Sequence, residues 1–231
     1  MGKSIKILSI IAGIIMSGIG LALMFINPAV AGQLPEGFFT PIIALEFMSN
    51  TEDLSRFFNI TSVAELKNSF LLGNQVDYAF MFAYGIFALL CGRLIYLDSR
   101  IKTVWLSFPL VLLIIFSDLF ENMNIAEILA MKEYYNAELI LDQLQLFTWL
   151  KWGSLSALML LYSVYFLQGN WWKIIIGVIM LSSFCFAVAA FYLGGIYCEI
   201  MSVNIMASFI GLLIFAIIWK PSGKSVDLQP L

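Results

Sequence analysis

The stretch Ser117-Asp118-Leu119-Phe120-Glu121-Asn122 places two carboxylates and an amide inside an apolar run that begins near Thr103. On a helix, residues three and four apart share a face, so Asp118, Glu121 and Asn122 form one polar patch. An acidic side chain at the centre of a membrane costs roughly 2.5–3.5 kcal/mol on insertion scales. A chain keeps such a patch only if something pairs with it or uses it.

The composition indicates a membrane protein. Of the 231 residues, 61% are hydrophobic and 12% are charged, against about 25% charged in soluble domains, and the mean hydropathy is +0.94. We therefore treat residues 1–231 as a single membrane domain whose first partner is the lipid bilayer. The net charge of −3 and the lack of a basic block argue against nucleic acid as a partner.

Six apolar segments are long enough to cross a bilayer as helices. We predict an all-α fold with transmembrane helices at about 5–26, 78–97, 103–124, 145–168, 172–196 and 201–219, and a small helical cap at 27–76 between the first two. Ala29-Val30-Ala31 is similar to a signal-peptidase site, but the first apolar run exceeds the usual signal core of about 7–15 residues. We therefore expect an uncleaved anchor.

The connection at 27–76 is too long for a plain loop. Thr40 and Pro41 are a typical N-cap and first-turn pair, and the apolar segment after them is too short to cross a bilayer. We expect an interfacial or re-entrant half-helix that carries Glu46.

A further short helix is predicted in the second half of this connection. Ser62 and Glu65 have the spacing of a capping box, which favours a helix that begins there and ends near Gly73. The second transmembrane helix would then begin separately, with Asp77 at its mouth.

The basic residues predict the orientation. With the N-terminus inside, the inner side receives Lys3, Lys6, Arg93, Arg100, Lys102, Lys173, Lys220 and Lys224. The outer side and outer half receive only Arg56, Lys67, Lys132 and Lys151. The positive-inside rule therefore predicts a multi-pass protein of the cell membrane, the inner membrane in bacteria, with both termini cytoplasmic and the cap outside.

Depth along the helices predicts which charges meet. Asp118 lies fifteen residues after Thr103, or about 22 Å along a helix, in the outer part of a hydrocarbon layer about 30 Å thick. Lys151 lies seven residues after Leu144 on a helix that descends from outside, about 10 Å in. Because the depths match, we predict that Lys151 pairs with Asp118 or Glu121.

Other polar residues can reach the same region: Asp77 at the outer mouth of span two, Glu46 on the half-helix, and Asn204 of span six. The site predicted to bind a ligand or a proton therefore comprises Asp118, Glu121, Asn122, Lys151, Asp77 and Glu46.

The predicted core is one charge short of neutrality, with two acids against one base. Either a carboxyl is protonated, or a cation or a substrate amine supplies the balance. Structural interpretations remain open beside this one. A buried pair can simply lock helices together, Asn122 can act as interhelical glue, Asp77 can be an acid favoured at a helix N-terminus, and Glu46 can be a solvated surface residue.

Four short segments together resemble a pattern in an uncharacterised family of bacterial polytopic membrane proteins. They are Leu45-Glu46-Phe47, Asp77-Tyr78, Asp118-Leu119-Phe120-Glu121-Asn122 and Lys151-Trp152. The resemblance covers about residues 41–152 and implies no activity. It does imply that the acidic residues, Asn122 and Lys151 belong to one site.

The leading functional hypothesis is a protein that binds or transports a cation, a proton or a small amphipathic ligand at a buried site in the outer half of the bilayer. The alternatives are an intramembrane enzyme acting on a lipid or lipid-linked substrate, and a structural or assembly subunit of a membrane complex. Nucleotide and hydrolase motifs are absent, and so is histidine. We therefore expect no cofactor and no metal, and we assign no catalytic residue. A bundle this small would need self-association or a partner subunit to move a solute.

The orientation can be tested with a reporter fused after Leu231. We expect cytoplasmic reporter activity, because both termini lie on the side that receives most of the basic residues. A reporter active on the opposite side of the membrane would show that the orientation is wrong.

Overall fold

The computed structural model describes residues 2–220, and all regular structure there is helical. The α-helices in that range are α1 (Gly2–Ile26), α2 (Pro41–Glu46), α3 (Thr51–Phe57), α4 (Val63–Ser99), α5 (Ser107–Ala130), α6 (Glu138–Phe166), α7 (Trp171–Leu193) and α8 (Ile196–Ile218). A 3-10 turn, Lys102–Leu106, leads into α5. The all-α fold class is thus confirmed.

Within residues 2–220, five helical segments are long and apolar enough to cross a membrane: α1, α4, Lys102–Ala130, α7 and α8. They indicate a multi-pass membrane protein, as the sequence predicted. The remaining predicted span, the fourth at about 145–168, lies on α6, which has 29 residues but carries Lys151 and several hydroxyl side chains. The count of six spans therefore stays a prediction.

The long helices form a closed ring. Each packs on the next along the chain, from α1 through α4, α5, α6 and α7 to α8, and α8 returns to α1. Large side chains such as Phe87, Tyr162 and Phe215 are fully buried at the centre. Small residues allow close approach between helices, as where the Ser183 and Ser208 hydroxyls lie 3.0 Å apart between α7 and α8.

The prediction that a short helix ends near Gly73 is wrong, because α4 runs unbroken for 37 residues. Gly73 is a packing position inside α4. A Cβ there would overlap the Asn27 side chain just after α1. The segment that begins after Ser62 and the predicted second span are therefore one continuous helix.

A second apolar core lies at the end of the ring where α1 leads into α2. Leu45 of α2, Phe57 of α3 and Phe70 of α4 are fully buried there, and they share the core with Ile128 of α5 and Leu141 of α6. The short helices at 27–76 are thus packed onto the ends of α5 and α6. This packing fixes where α2 places Glu46.

The connection between α1 and α2 is held by close backbone contacts. Gly32 donates its N–H to Phe57 O at 2.8 Å. Gly37 in this connection has a φ of 82°, and Gly195, in the turn between α7 and α8, has a φ of 51°. A Cβ on Gly195 would lie 3.0 Å from Glu36 O, so glycine is needed for this approach.

We expect Gly32→Ala to lower the free energy of unfolding by about 1–3 kcal/mol. The measurement is the thermal midpoint in detergent, which should fall. The added Cβ would overlap Arg56 O and lie 2.7 Å from Phe57 O, both backbone atoms that cannot rotate away.

The matched control is Gly18→Ala. Gly18 lies within α1, and no atom lies within 4 Å of its added Cβ. This variant should be neutral or slightly stabilising, since alanine favours a helix over glycine. Equal effects of the two substitutions would contradict the close packing of Gly32.

Candidate functional site

The candidate site is a cluster of charges where α2, α5 and α6 meet. Glu46 is the last residue of α2, and Asp118 and Glu121 lie one turn apart on α5. Lys151 of α6 faces all three carboxyl groups. The helical spacing of three residues that predicted the shared face of α5 is what brings Asp118 and Glu121 together.

Lys151 Nζ is the centre of the cluster. It donates a hydrogen bond to Glu121 Oε1, and it lies 3.3 Å from Glu46 Oε2 and 3.4 Å from Asp118 Oδ1. One ammonium therefore faces three carboxyl groups. If all three are ionised, two negative charges remain uncompensated by this lysine.

The cluster is sealed from the surroundings. Exposed fractions are 2% for Asp118, 1% for Glu121, 6% for Lys151 and 8% for Glu46. Asp118 Oδ1 and Glu121 Oε2 have no hydrogen-bond partner among residues 2–220. Buried carboxylate oxygens are normally hydrogen-bonded, since an unmade bond costs about 1–3 kcal/mol or more. These two open oxygens can therefore each accept a proton, and Asp118 Oδ1 also lies 3.4 Å from the Lys151 ammonium.

Hydrogen bonds extend the cluster towards α4. The Tyr84 hydroxyl donates to Asp118 Oδ2 at 2.6 Å. Asn122 Nδ2 donates to Asp77 Oδ2 at 2.8 Å, and Asn74 Nδ2 donates to Asn122 O at 2.9 Å. Asp77 thus lies beside the cluster, linked through Asn122 and not directly to Lys151.

Glu46 is held from α6. Trp152 Nε1 donates to Glu46 Oε2 at 2.9 Å, and Thr148 Oγ1 donates to Glu46 O at 3.0 Å. The Phe47 ring packs edge-on against Trp149, with centroids 4.9 Å apart. Burial raises the pKa of the Glu46 carboxyl, because desolvation outweighs the attraction of Lys151. Glu46 is therefore a buried member of the site and not a solvated surface residue.

Glu199 near the start of α8 fixes the other end of α2. Its Oε1 accepts hydrogen bonds from Phe39 N at 2.9 Å and from Thr40 N at 2.8 Å, and its Oε2 accepts one from Thr40 Oγ1 at 2.8 Å. Thr40 was predicted to cap α2, but its side chain makes no cap hydrogen bond because it binds Glu199. Glu199 thereby positions the helix that delivers Glu46.

The structure brings together Glu46, Asp118, Glu121 and Lys151, with Asn122 and Asp77 adjacent to them. Asn204, which the sequence placed within reach, is elsewhere: its Oδ1 accepts from the Ser182 hydroxyl at 3.0 Å. Sequence reasoning missed the residues that donate hydrogen bonds to the site from α4 and α6: Tyr84, Asn74, Thr148 and Trp152. It also missed Glu199 of α8, which accepts hydrogen bonds from the residues before α2. Tyr84 carried one usable signal, since it lies seven residues from Asp77 on the same side of α4.

The geometry favours charge compensation over metal coordination. Among residues 2–220, no group of three or more His, Cys, Asp or Glu side chains is arranged to hold a metal ion. The carboxyl groups converge on an ammonium that already occupies the position a cation would take. What the arrangement can do chemically is bind and release protons at its carboxyl groups.

We expect Lys151→Met to destabilise the protein by about 3–5 kcal/mol, because it leaves three buried carboxyl groups without their counter-ion. Glu121→Gln should cost much less, because two carboxylates remain near the lysine. The double variant Lys151→Met/Glu121→Gln should recover part of the loss. The measurement is the thermal midpoint of each variant in the same detergent.

The control is Lys132→Met, since Lys132 is exposed after α5. This variant should melt like the wild type. If Lys151→Met were as mild as Lys132→Met, the ammonium would not be the partner that stabilises the buried carboxyl groups.

Comparison with models of protein families, with curated proteins and with solved structures finds no match for this chain.

Proposed function

We propose that this protein is a six-span protein of the cell membrane, with both termini cytoplasmic, that binds or transports a proton, a cation or a small amphipathic ligand. The observation that supports this proposal is one lysine surrounded by three buried carboxyl groups. Ionisable groups inside a membrane are costly and usually serve a function.

Charge balance favours the proton as the first ligand to consider. Two carboxylates beyond the neutralising capacity of Lys151 cannot stay ionised in a low-dielectric site without several kcal/mol of cost. A proton neutralises a carboxylate without needing extra space. Release of that proton would then leave a negative site that attracts a cation or an amine.

The route of exchange is proposed to lie at Glu46. Glu46 ends a short helix outside the long spans, and it is the least buried of the three carboxyl groups around Lys151. Movement of α2 would open the cluster without separating the long helices.

A groove between α6 and α7 is the observation that supports the amphipathic-ligand alternative and the alternative of an enzyme that acts on a lipid. The groove holds a volume of about 290 Å³ and is lined by Trp149, Gly153, Ser156 and Phe191, among others. Ser156 Oγ is buried with no partner among residues 2–220. Since Trp149 also packs on Phe47, an apolar tail in the groove would lie next to the residue that follows Glu46.

An assembly role is less well supported. That hypothesis requires polar groups that a partner's helix can reach. The two open oxygens belong to Asp118 and Glu121, which are the most deeply buried acids of the site. A partner could contact them only after the ring of helices had opened.

Tryptophan fluorescence tests the proposal directly, because Trp152 donates its indole N–H to Glu46. We expect the emission of the purified protein to titrate with pH. Added sodium, potassium or an alkylammonium probe should shift that titration to lower pH if it competes with the proton. Glu46→Gln should abolish the response, because the amide cannot ionise.

The control is Trp152→Phe, which removes the reporter and keeps the carboxyl groups. It should lose the spectral signal but retain any proton release that a pH dye detects. A wild-type emission that ignores both pH and cations, together with a Glu46→Gln variant that is only destabilised, would mean that the cluster is a structural clamp.

A further inference from the structure

A second site lies near the C-terminal end of α4, nine residues beyond Tyr84 of the carboxylate cluster. Arg93 is near the C-terminal end of α4, and Trp105 lies in the 3-10 turn that follows. Between them is a cavity of about 130 Å³ lined by Arg93, Tyr96, Trp105, Ser107 and Phe108, among others. One water takes up about 30 Å³ in the liquid, so the cavity has room for a small polar group.

The Arg93 guanidinium is held by rings and not by an acid. It lies 5.2 Å from the centroid of Tyr96 and 5.5 Å from that of Trp105. No salt bridge and no hydrogen bond of this guanidinium occurs among residues 2–220. Arginine stays charged at all physiological pH values and offers five N–H donors, so this half-buried cation is left without an anion.

Asp98, the acid nearest to Arg93 in the sequence, is paired with other residues. Asp98 Oδ2 accepts a hydrogen bond from the Tyr165 hydroxyl and lies 3.2 Å from Lys173 Nζ. Arg100 adds to the positive charge, since its guanidinium lies 5.8 Å from the same Tyr96 ring. Two like charges on one ring repel each other, and a shared anion would relieve that repulsion.

Aromatic side chains are exposed at the mouth of the cavity, where Trp105 and Phe108 are more than half exposed. Ser107 is buried at the cavity wall, and its hydroxyl is hydrogen-bonded to Tyr162. A ligand in this place meets a cation at its polar end and aromatic surface alongside.

We propose that this cavity binds the phosphodiester of an anionic phospholipid, with Arg93 donating to the phosphate oxygens and the acyl chains lying along Trp105 and Phe108. Guanidinium binds phosphate with two parallel hydrogen bonds, which suits this chemistry better than an ammonium would. Free phosphate has the same anionic group, but it has no apolar part that could contact the exposed rings of Trp105 and Phe108. The site is separate from the carboxylate cluster and does not depend on its function.

Native mass spectrometry of the full chain in detergent tests the proposal. The wild type should bind phosphatidylglycerol more tightly than phosphatidylcholine. Arg93→Gln should weaken phosphatidylglycerol binding about tenfold, which corresponds to about 1.4 kcal/mol. Arg93→Lys keeps the charge but loses the paired N–H donors of the guanidinium. Its affinity for phosphatidylglycerol should therefore lie between those of the wild type and Arg93→Gln. Arg56→Gln is the control, because Arg56 pairs with Glu52 on α3 at the other end of the molecule.

Three outcomes would overturn the proposal. The first is equal binding of the two lipids by the wild type, which needs no variant to fold. The second is an Arg93→Gln variant with the same lipid preference as Arg56→Gln. The third is displacement of bound phosphatidylglycerol by inorganic phosphate alone, which would make a free anion the ligand of this cavity.

Discussion

One buried ammonium group holds three helices of this protein together. Lys151 of α6 lies among carboxyl groups from α2 and α5, and removing an ion from water costs several kcal/mol that only close opposite charges offset. The helices that carry those charges cannot separate without leaving an ion in an apolar medium. The apolar packing of the ring determines its shape, while the lysine ties α2, α5 and α6 together within it.

Charge is segregated along the long helices. The buried acids Asp118 and Glu121 lie about half-way along α5, and the unpaired arginine and the Asp98–Lys173 pair lie near the C-terminal end of α4. Each region has its own polar network, and apolar side chains such as Phe87 and Tyr162 fill the core of the ring. A ligand bound at one site therefore meets the opposite sign of charge from a ligand bound at the other.

Much of the fold and of the site could be predicted from the sequence because both rest on regular helical spacing. The shared face of Asp118, Glu121 and Asn122 follows from steps of three and four residues. The pairing of Lys151 with these acids could be predicted because the residues lie at matching depths along their helices. The partners of Glu46 could not be derived, because they depend on how α2 and α6 are rotated against each other. The continuity of α4 was missed because a glycine such as Gly73 can either end a helix or allow close packing inside one. Only its contact with Asn27 in the structure distinguishes the two roles.

The unbroken α4 makes the protein sensitive to chain length. Asn74, Asp77 and Tyr84 all reach the site from this one helix. A single inserted residue between Asp77 and Tyr84 would turn the upper part of α4 by about 100° and shift it about 1.5 Å. The helix thus fixes the spacing of these three side chains, and an insertion inside it would break their alignment, whereas an insertion in a connection outside α4 would leave that spacing unchanged.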